Sequence, residues 1–241
     1  MSALREDADV ETSSEGYARR FSGPVGAFFL QTQSRAALEL LAPFPGASIL
    51  EVGGGHGQLT GPLVDAGHAV TVFGSDARCR ERVRAWVDTG RARFEAGDLL
   101  AMPFPDRSFD VVVSLRLLPH VRSWQALVAE LCRVALRSVV VDYPTRRSVN
   151  VASGALFPAK RSVEGNTRPF VVFRDAEIVD AFARQGFLPT GRRPQFFLPM
   201  ALHRAVGSAV LSRSLEGVAK ASGLVGAFGS PVILRLEPRR A

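Results

Sequence analysis

The chain has 241 residues, 46% of them hydrophobic, and a formal net charge of +7 at pH 7. This length and composition suit one α/β domain with a sizeable core. No run of about 18 apolar residues occurs, so we expect no membrane-spanning helix. The two cysteines, Cys79 and Cys132, are too few for a disulfide framework and lack metal-ligand spacing. They predict a reducing, cytoplasmic location and no metal site.

The beginning of the chain is polar and acidic, so we expect a disordered tail over residues 1–15. A single domain is then predicted over 16–241. It opens with a helical cap over 16–46, in which apolar residues recur at helical spacing. That pattern predicts one helix from Tyr17 to Leu41, followed by a turn rich in proline and glycine.

Strand and helix patterns alternate over 47–143, which is typical of a parallel sheet with helices on both faces. The predicted strands are nearly continuous apolar runs, as expected where both faces of a sheet are buried. They are Ser48 to Val52, Ala69 to Phe73, Ala92 to Glu95, Phe109 to Ser114 and Ser138 to Asp142. Helices are predicted between them, at about 58–66, 76–87 and 123–134.

The second half departs from simple alternation. Residues 144–173 are basic and rich in small side chains, which predicts a lid or an insertion. The C-terminal half, 174–241, is predicted to contain a helix at Arg174 to Gln185, strands at Phe187 to Leu198 and Pro231 to Leu236, and a helical insert at 199–226 between those strands. The predicted fold class is α/β, with a doubly wound, mostly parallel sheet of seven strands.

The first predicted strand runs into a glycine-rich turn that reads Glu51-Val52-Gly53-Gly54-Gly55-His56-Gly57-Gln58. Glycine has no Cβ, so the backbone of such a turn can lie directly against a ligand. The helix that follows points its free N–H groups toward the same place. The spacing fits neither the G-x-G-x-x-G of dinucleotide-binding proteins nor a P-loop, which needs Gly-Lys-Ser/Thr.

The arrangement acid-x-Gly-x-Gly-x-Gly resembles motif I of the class I S-adenosylmethionine-dependent methyltransferases, and the resemblance extends over most of Tyr17 to Val141. It implies a Rossmann-like fold, S-adenosylmethionine as cofactor and S-adenosylhomocysteine as product. In that family the turn wraps the methionine part of the cofactor, and the acid matching Glu51 lies near its amino group. Glu51 could instead cap the next helix or meet solvent. The cofactor residues implied by this motif are Glu51, Gly53, Gly54, Gly55, His56 and Gly57.

The second motif of the family departs from the pattern in this chain. An acid at the end of the second strand binds both ribose hydroxyls in the family, whereas Gly74 stands at that position here. Either Asp76 reaches back to the ribose, or Ser75 and backbone groups hold it. Asp76 fits equally well as the N-cap of the following helix. The departure also supports an alternative, a non-catalytic module that has lost productive cofactor binding.

The third motif is Gly97-Asp98-Leu99, followed by Pro103-Phe104 and Ser108-Phe109-Asp110. It is typical of the small-molecule branch of the family. The resemblance implies that Asp98 accepts a hydrogen bond from the adenine amino group and that the backbone of Leu99 contacts the ring. Asp98 could also be an ordinary Asx-turn residue.

The fourth motif, Ser114-Leu115-Arg116-Leu117-Leu118-Pro119-His120-Val121, resembles the segment that borders the reaction centre in this family. Ser114 and Leu115 are therefore expected at the cofactor. His120 is a candidate general base, with a structural hydrogen bond as its alternative role. Further candidates are Arg116 and Tyr143 for catalysis, and Tyr17, Phe21, Phe196 and Phe197 as residues lining the acceptor site. For each aromatic residue, core packing is the favoured interpretation.

The acceptor is less clearly indicated than the methyl donor. The fourth strand is not followed by the Asp/Asn-Pro-Pro-Tyr/Phe segment typical of enzymes that methylate amino groups of nucleic-acid bases. Of the 30 basic residues only Lys160 and Lys220 are lysines, and the arginines are dispersed. We therefore disfavour a nucleic-acid partner and expect a small acceptor of the quinone, lipid or natural-product type. An RNA or protein methyltransferase remains the alternative.

The predicted insert, 199–226, carries apolar residues at helical spacing among basic ones. Such a helix could rest on an anionic membrane or cover an apolar substrate. Packing of the apolar stripe on the sheet or on a second subunit is the favoured interpretation. The oligomeric state stays open. The stripe is formed by Leu202, Val206, Val210, Leu215 and Val218.

Overall fold

A computed structural model describes residues 6–148 and 170–239 of the chain. These residues form one seven-stranded sheet with the strand order β3-β2-β1-β4-β5-β7-β6. The first five strands run parallel, and β7 is antiparallel to both of its neighbours. The predicted doubly wound, mostly parallel sheet is confirmed. The strands are β1 (Ser48–Val52), β2 (Ala69–Gly74), β3 (Ala92–Ala96), β4 (Phe109–Ser114), β5 (Ala135–Tyr143), β6 (Phe187–Phe196) and β7 (Ser230–Pro238).

The central strands supply two hydrophobic clusters, because successive side chains along a strand point to opposite faces. In β4, Val112 belongs to one cluster, whereas Val111 and Val113 belong to the other. The same alternation continues in β5. Both faces are therefore buried, which explains why these strands are apolar at nearly every position.

Helices cover the sheet on both sides. The helices are α1 (Ala8–Thr12), α2 (Glu15–Arg19), α3 (Gly23–Leu41), α4 (Thr60–Asp65), α5 (Arg84–Asp88), α6 (Trp124–Val134), α7 (Asp175–Arg184), α8 (Met200–Val206), α9 (Ala209–Ala221) and α10 (Leu224–Phe228). Leu40 of α3 and Leu63 of α4 pack in one cluster, and Leu127 of α6 and Phe182 of α7 pack in the other. Short 3-10 helices occur at Gly54–His56, Ala77–Val83 and Leu118–His120.

The single helix predicted from Tyr17 to Leu41 is wrong, because it is interrupted between α2 and α3. Gly23 has a φ of +74°, in the left-handed region that favours glycine. Pro24 lacks a backbone N–H and therefore fits only at the first turn of the new helix. The chain thus changes direction here, and two helices replace one.

The expected disorder of residues 1–15 is wrong for the part that the structure describes, which begins at residue 6. Residues of α1 are buried, and Ala8 packs within the main hydrophobic cluster. Ser123 donates its backbone N–H to the Glu6 carboxylate at 2.9 Å. Glu6, one of the acidic residues that suggested a solvated tail, therefore accepts a hydrogen bond from the start of α6.

The helical insert is present, but its apolar stripe does not pack on the sheet as favoured from the sequence. Val210 and Val218 of α9 are 73% and 71% exposed. The buried side of α9 carries Ser212, Glu216 and Ala219 instead. Glu216 faces inward because it accepts the backbone N–H groups of residues 197 and 198 and contacts a buried histidine. Contact of the stripe with a membrane or a second subunit stays a prediction.

The predicted lid over 144–173 lies largely outside the described residues. Its two described ends meet, since Phe173 donates its N–H to the carbonyl of Pro144 at 2.9 Å and accepts the N–H of Arg146 at 2.8 Å. Among the described residues, no helix is long and apolar enough to cross a membrane.

Replacing Phe182 by alanine is expected to lower the free energy of unfolding by about 3–5 kcal/mol, because its ring is fully buried in the cluster beneath α7. Denaturant titration followed by circular dichroism measures the change. The matched control is Leu188→Ala on β6, where the side chain is 40% exposed. It is expected to cost less than about 1 kcal/mol. Similar losses in the two variants would contradict the packing described for α7.

Candidate functional site

The carboxyl ends of β1, β2 and β4 lie side by side, which is where parallel α/β sheets bind ligands. The glycine turn after β1 has the tight backbone that the sequence predicts. Gly53 and Gly57 have φ values of +73° and +67°. A Cβ on Gly54 would lie only 2.4 Å from Cδ of Glu51, so this glycine leaves room for the carboxyl group.

Glu51 is held inside the protein at the end of β1, with 2% of its surface exposed. Thr60, at the start of α4, donates its hydroxyl to Oε2 of Glu51 at 2.6 Å. Oε1 has no hydrogen-bond partner among the described residues. Burial raises the pKa of Glu51 to about 8, and the hydrogen bond from Thr60 only partly offsets this. The alternative that Glu51 meets solvent is therefore wrong.

A second buried polar atom without a partner among the described residues lies on the neighbouring strand. It is Oγ of Ser114, at the end of β4 and fully buried. Buried polar groups in proteins almost always have partners, so two such atoms at one sheet edge point to a ligand. The carboxyl oxygen of Glu51 is an acceptor that fits the α-ammonium of a methionine group. The residues present thus fit S-adenosylmethionine.

His56 belongs to the turn and is buried. Its Nδ1 accepts the backbone N–H of Gln58 at 3.1 Å. Burial, with a smaller contribution from the nearby Arg116, lowers the pKa of His56 to about 3. The ring is therefore neutral at physiological pH, and it shapes the turn without placing a charge in the site.

The end of β2 differs from the arrangement in which Asp76 reaches back to the ribose. Oδ1 of Asp76 accepts the backbone N–H of Arg78 at 2.9 Å, and its carboxylate pairs with the Arg78 guanidinium at 2.8 Å. The N-cap interpretation of Asp76 is confirmed. Ser75 is buried, and both its backbone N–H and its hydroxyl donate to the carboxylate of Asp9, which arrives from α1.

Asp98 has the Asx-turn role considered from the sequence, and its contact with adenine stays a prediction. Its Oδ1 accepts the backbone N–H of Leu100 at 2.8 Å, as in an Asx turn. The side chain is exposed, so the carboxylate stays accessible to a ligand. Leu99 is fully buried in the main cluster, which fixes the position of the turn.

Arg116 follows β4 and has a φ of +62°, an uncommon value for a residue other than glycine. Its backbone N–H donates to Oδ1 of Asp142 at 2.6 Å. Its guanidinium donates to Gln58, hydrogen-bonds Tyr17 and lies 4.1 Å from the centre of the Phe21 ring. A cation and two aromatic rings from α2 and the following turn are thus assembled beside the glycine turn.

Asp142 completes this arrangement from the end of β5. It is buried and also accepts a hydrogen bond from Nε2 of Gln33 at 3.1 Å. Burial raises the pKa of Asp142 to about 6, and the backbone N–H of Arg116 acts in the opposite direction. The carboxylate therefore anchors the strained backbone at Arg116 rather than facing a substrate.

The remaining catalytic candidates, His120 and Tyr143, differ in how far they are buried. His120 lies in the 3-10 turn after β4, half-buried, with its ring 5.4 Å from that of the exposed Phe170. Tyr143 is 1% exposed and packs against Phe173 in the main cluster. Burial raises the pKa of Tyr143 well above its usual value, with Asp175 contributing in the same direction. Its phenol thus lies among core side chains, and a catalytic role for Tyr143 stays a prediction.

Phe196 and Phe197, the aromatic pair expected to line the acceptor site, also lie in different environments. Phe196 is buried in a separate cluster with Phe28 and Phe29 of α3, so it packs the core. Phe197 is only partly buried.

Leu115, expected at the cofactor, is buried in the cluster on the α3 side of the sheet, so only its backbone can face a ligand.

Sequence reasoning missed Asp9, Thr60 and Asp142 as parts of the site. Asp142 carries a recognisable signal, because it is an acid at the carboxyl end of a buried strand. Thr60 also carries a signal, because it is a polar residue at the start of the helix that follows the glycine turn. Asp9 carries no local signal, since its neighbours are polar and its partner, Ser75, is 66 residues away.

Comparisons with known proteins agree with this geometry. Residues 50–138 match a family model described as a methyltransferase domain. An O-methyltransferase of Pyrenophora dematioidea is 29% identical over 128 residues, which cover 49% of this chain and 47% of that protein. A demethylmenaquinone methyltransferase of Tropheryma whipplei (strain Twist) is 33% identical over 104 residues, 42% of each chain. The matches thus span less than half the length of these curated relatives.

The fold has close counterparts among solved structures. The magnesium protoporphyrin IX methyltransferase of Synechocystis PCC 6803, with bound SAH, has a TM-score of 0.64 at 15% identity, and the match covers 93% of both chains. At this level of identity the similarity concerns the fold. The glycine turn, Glu51 and Asp98 all lie within residues 50–138, the part of the chain that matches the family model. Residues 50–138 therefore carry the methyltransferase domain of that family, and the described chain has the fold of the class I S-adenosylmethionine-dependent methyltransferases.

Proposed function

We propose that this chain transfers a methyl group from S-adenosylmethionine to a small hydrophobic acceptor of the quinone, lipid or natural-product type. The observation that carries the proposal is the buried carboxyl of Glu51, whose Oε1 lacks a partner among the described residues beside the glycine turn. A cofactor ammonium satisfies that oxygen and compensates for the burial of the charged form. Without such a cation, ionising Glu51 at this position is costly.

The roles of the binding residues follow from their positions. Glu51 holds the ammonium end of the cofactor, and the exposed carboxylate of Asp98 receives the adenine amino group. When bound, S-adenosylmethionine supplies an electrophilic methyl group together with its own leaving group. The protein therefore has to align the acceptor, exclude water and, for a hydroxyl acceptor, remove a proton.

The acceptor class is argued from the groups beside the turn. Tyr17 and Phe21 present aromatic surface, and their ring centres lie 5.6 Å apart. The Arg116 guanidinium stacks on Phe21 rather than forming an ion pair at the surface. This combination suits a planar, largely apolar molecule with a polar edge. The names of the two curated relatives, an O-methyltransferase and a demethylmenaquinone methyltransferase, support the same class.

An RNA acceptor is less well supported. Many of the arginines are engaged in ion pairs with acids on the protein surface, including Arg80 with Asp88 and Arg91 with Asp65. Paired charges contribute little to the attraction of a phosphate backbone. Half-buried His120, on the loop after β4, remains the candidate base for deprotonating the acceptor.

The affinity for S-adenosylhomocysteine is expected to rise between pH 6.5 and 8 and to level off above the pKa of Glu51, which is about 8. Below this pKa the carboxyl is protonated, and pairing with the ammonium requires release of that proton. Isothermal titration calorimetry across this range measures the effect. Glu51→Gln is expected to bind about 10- to 100-fold more weakly at pH 8 and to lose most of the pH dependence. An unchanged pH profile in this variant would contradict the role of Glu51.

Asp98→Ala is expected to weaken S-adenosylhomocysteine by about 1–3 kcal/mol, through the lost contact with the adenine amino group. The same calorimetric titration measures it. Asp106→Ala is the matched control, because Asp106 is exposed in the same loop and pairs with Arg133 at the surface. Equal affinities of the two variants would refute the adenine assignment.

Transfer of a labelled methyl group is expected to a demethylated quinol or a phenolic natural product, and not to bulk tRNA or protein. His120→Ala is expected to lower kcat by at least about 100-fold with unchanged affinity for S-adenosylhomocysteine, because a general base acts only on the acceptor. The control His68→Gln changes a histidine that precedes β2, at the opposite end of the sheet. Labelling of tRNA or protein alone would contradict the proposed acceptor class.

A further inference from the structure

The end of β2 contains a carboxylate that does not come from β2. Asp9, on α1, is fully buried. Its Oδ2 accepts the backbone N–H of Ser75 at 2.7 Å, and its Oδ1 accepts the Ser75 hydroxyl at 2.5 Å. Ser75 directly follows Gly74, the position at which the family resemblance places an acid. A carboxyl group thus reaches the end of β2 from a different part of the chain.

The glycine at position 74 and the carboxylate of Asp9 are complementary in space. A Cβ on Gly74 would lie 3.3 Å from Oδ2 of Asp9 and only 2.7 Å from Cβ of Cys79. No side chain fits at position 74 while Asp9 and Cys79 keep their places. The carboxylate of Asp9 therefore lies directly beside the position that a Cβ on residue 74 would occupy.

The helix that carries Asp9 is fixed by several contacts. Ala8 packs in the main cluster, and the Ser13 hydroxyl donates to the carbonyl of Asp9 at 2.7 Å. Glu15, in α2, pairs with Arg82 at 2.5 Å. A Cβ on Gly55 would lie 2.3 Å from Oγ of Ser13, so this segment rests on the glycine turn itself. The position of the Asp9 carboxylate is therefore set by packing on both sides.

The hydrogen-bonding capacity of this carboxylate suits a diol. An ionised carboxylate offers about four acceptor sites, of which the two groups of Ser75 occupy two. The thiol of Cys79, 3.5 Å from Oδ2, is a weak donor to a third. The Ser75 hydroxyl can rotate away and leave its acceptor site to an incoming hydroxyl group. Two vicinal ribose hydroxyls are donors of the kind that this site accepts.

We propose that Asp9 binds the ribose hydroxyls of S-adenosylmethionine in place of the acid that is missing at Gly74. The inference rests on the proposed cofactor. It assigns the N-terminal segment to the cofactor site, where α1 supplies the ribose contact while β1 and the loop after β3 supply the contacts at either end. It also accounts for Asp76, whose carboxylate is engaged with Arg78.

The test is a set of affinities for S-adenosylhomocysteine and its 2′-deoxy analogue, measured by calorimetry with the full chain. Wild type is expected to bind the deoxy analogue about 10- to 100-fold more weakly. The quantity compared is the affinity ratio, the affinity for S-adenosylhomocysteine divided by that for the deoxy analogue. Asp9→Asn is expected to weaken the binding of S-adenosylhomocysteine and to reduce this ratio to about threefold or less, because the hydroxyl has lost its acceptor. Partial unfolding of the variant lowers both affinities equally and leaves the ratio unaffected.

Two further variants make the assignment specific. Asp76→Asn, the matched control, is expected to keep the wild-type ratio. Ser75→Ala leaves the Asp9 carboxylate and removes one competing donor, so it is expected to keep or increase the ratio, and it also serves if Asp9→Asn does not fold.

Several results would overturn the inference. A wild-type ratio in Asp9→Asn would show that Asp9 only holds α1 in place. Tighter binding of both ligands by this variant would show that α1 obstructs the site. Loss of the ratio in Asp76→Asn or in Ser75→Ala would move the role to those residues. Failure of wild type to bind S-adenosylhomocysteine at millimolar concentration would instead contradict the proposed function, and it is visible before any variant is made.

Discussion

A carboxyl group buried at the end of a parallel strand imposes the strongest constraint on this site. Glu51 is removed from water, and its only hydrogen bond from the described residues comes from Thr60, so its pKa rises to about 8. A group in this state makes the protein less stable as pH rises from its ordinary pKa through 8, because ionisation in the folded state is disfavoured. A ligand cation that pairs with the ionised carboxylate offsets this loss of stability. The tight glycine turn follows from the same arrangement, since a side chain at Gly54 would collide with Glu51.

The parts that sequence could predict are those governed by local rules. Strands such as β4 are apolar at nearly every position because both faces of the sheet are covered, and that pattern is visible without a structure. The Glu51 turn and the Asp98 turn also lie within short segments whose residues contact one another. Their positions at one sheet edge follow from the rule that parallel strands end on the same side.

The parts that sequence could not predict depend on distant partners. Asp9 belongs to a polar, acidic segment whose composition indicates disorder, yet its carboxylate meets donors 66 residues away. In α9 the residue type is equally misleading, because Glu216 faces inward to accept backbone N–H groups while Val210 and Val218 face outward. Tyr143, a candidate for catalysis from the sequence, is buried and packs against Phe173 of the later chain. In each case a tertiary contact outweighs the local preference.

The central claim is that an uncompensated Glu51 carboxyl receives the ammonium of the methyl donor. The most direct measurement is the number of protons released when S-adenosylhomocysteine binds at pH 7, obtained by calorimetry in buffers of different ionisation enthalpy. With a pKa of about 8 in the free protein, wild type is expected to release close to one proton, and Glu51→Gln about none. Binding without proton release in wild type, or equal release by the two proteins, would contradict the claim.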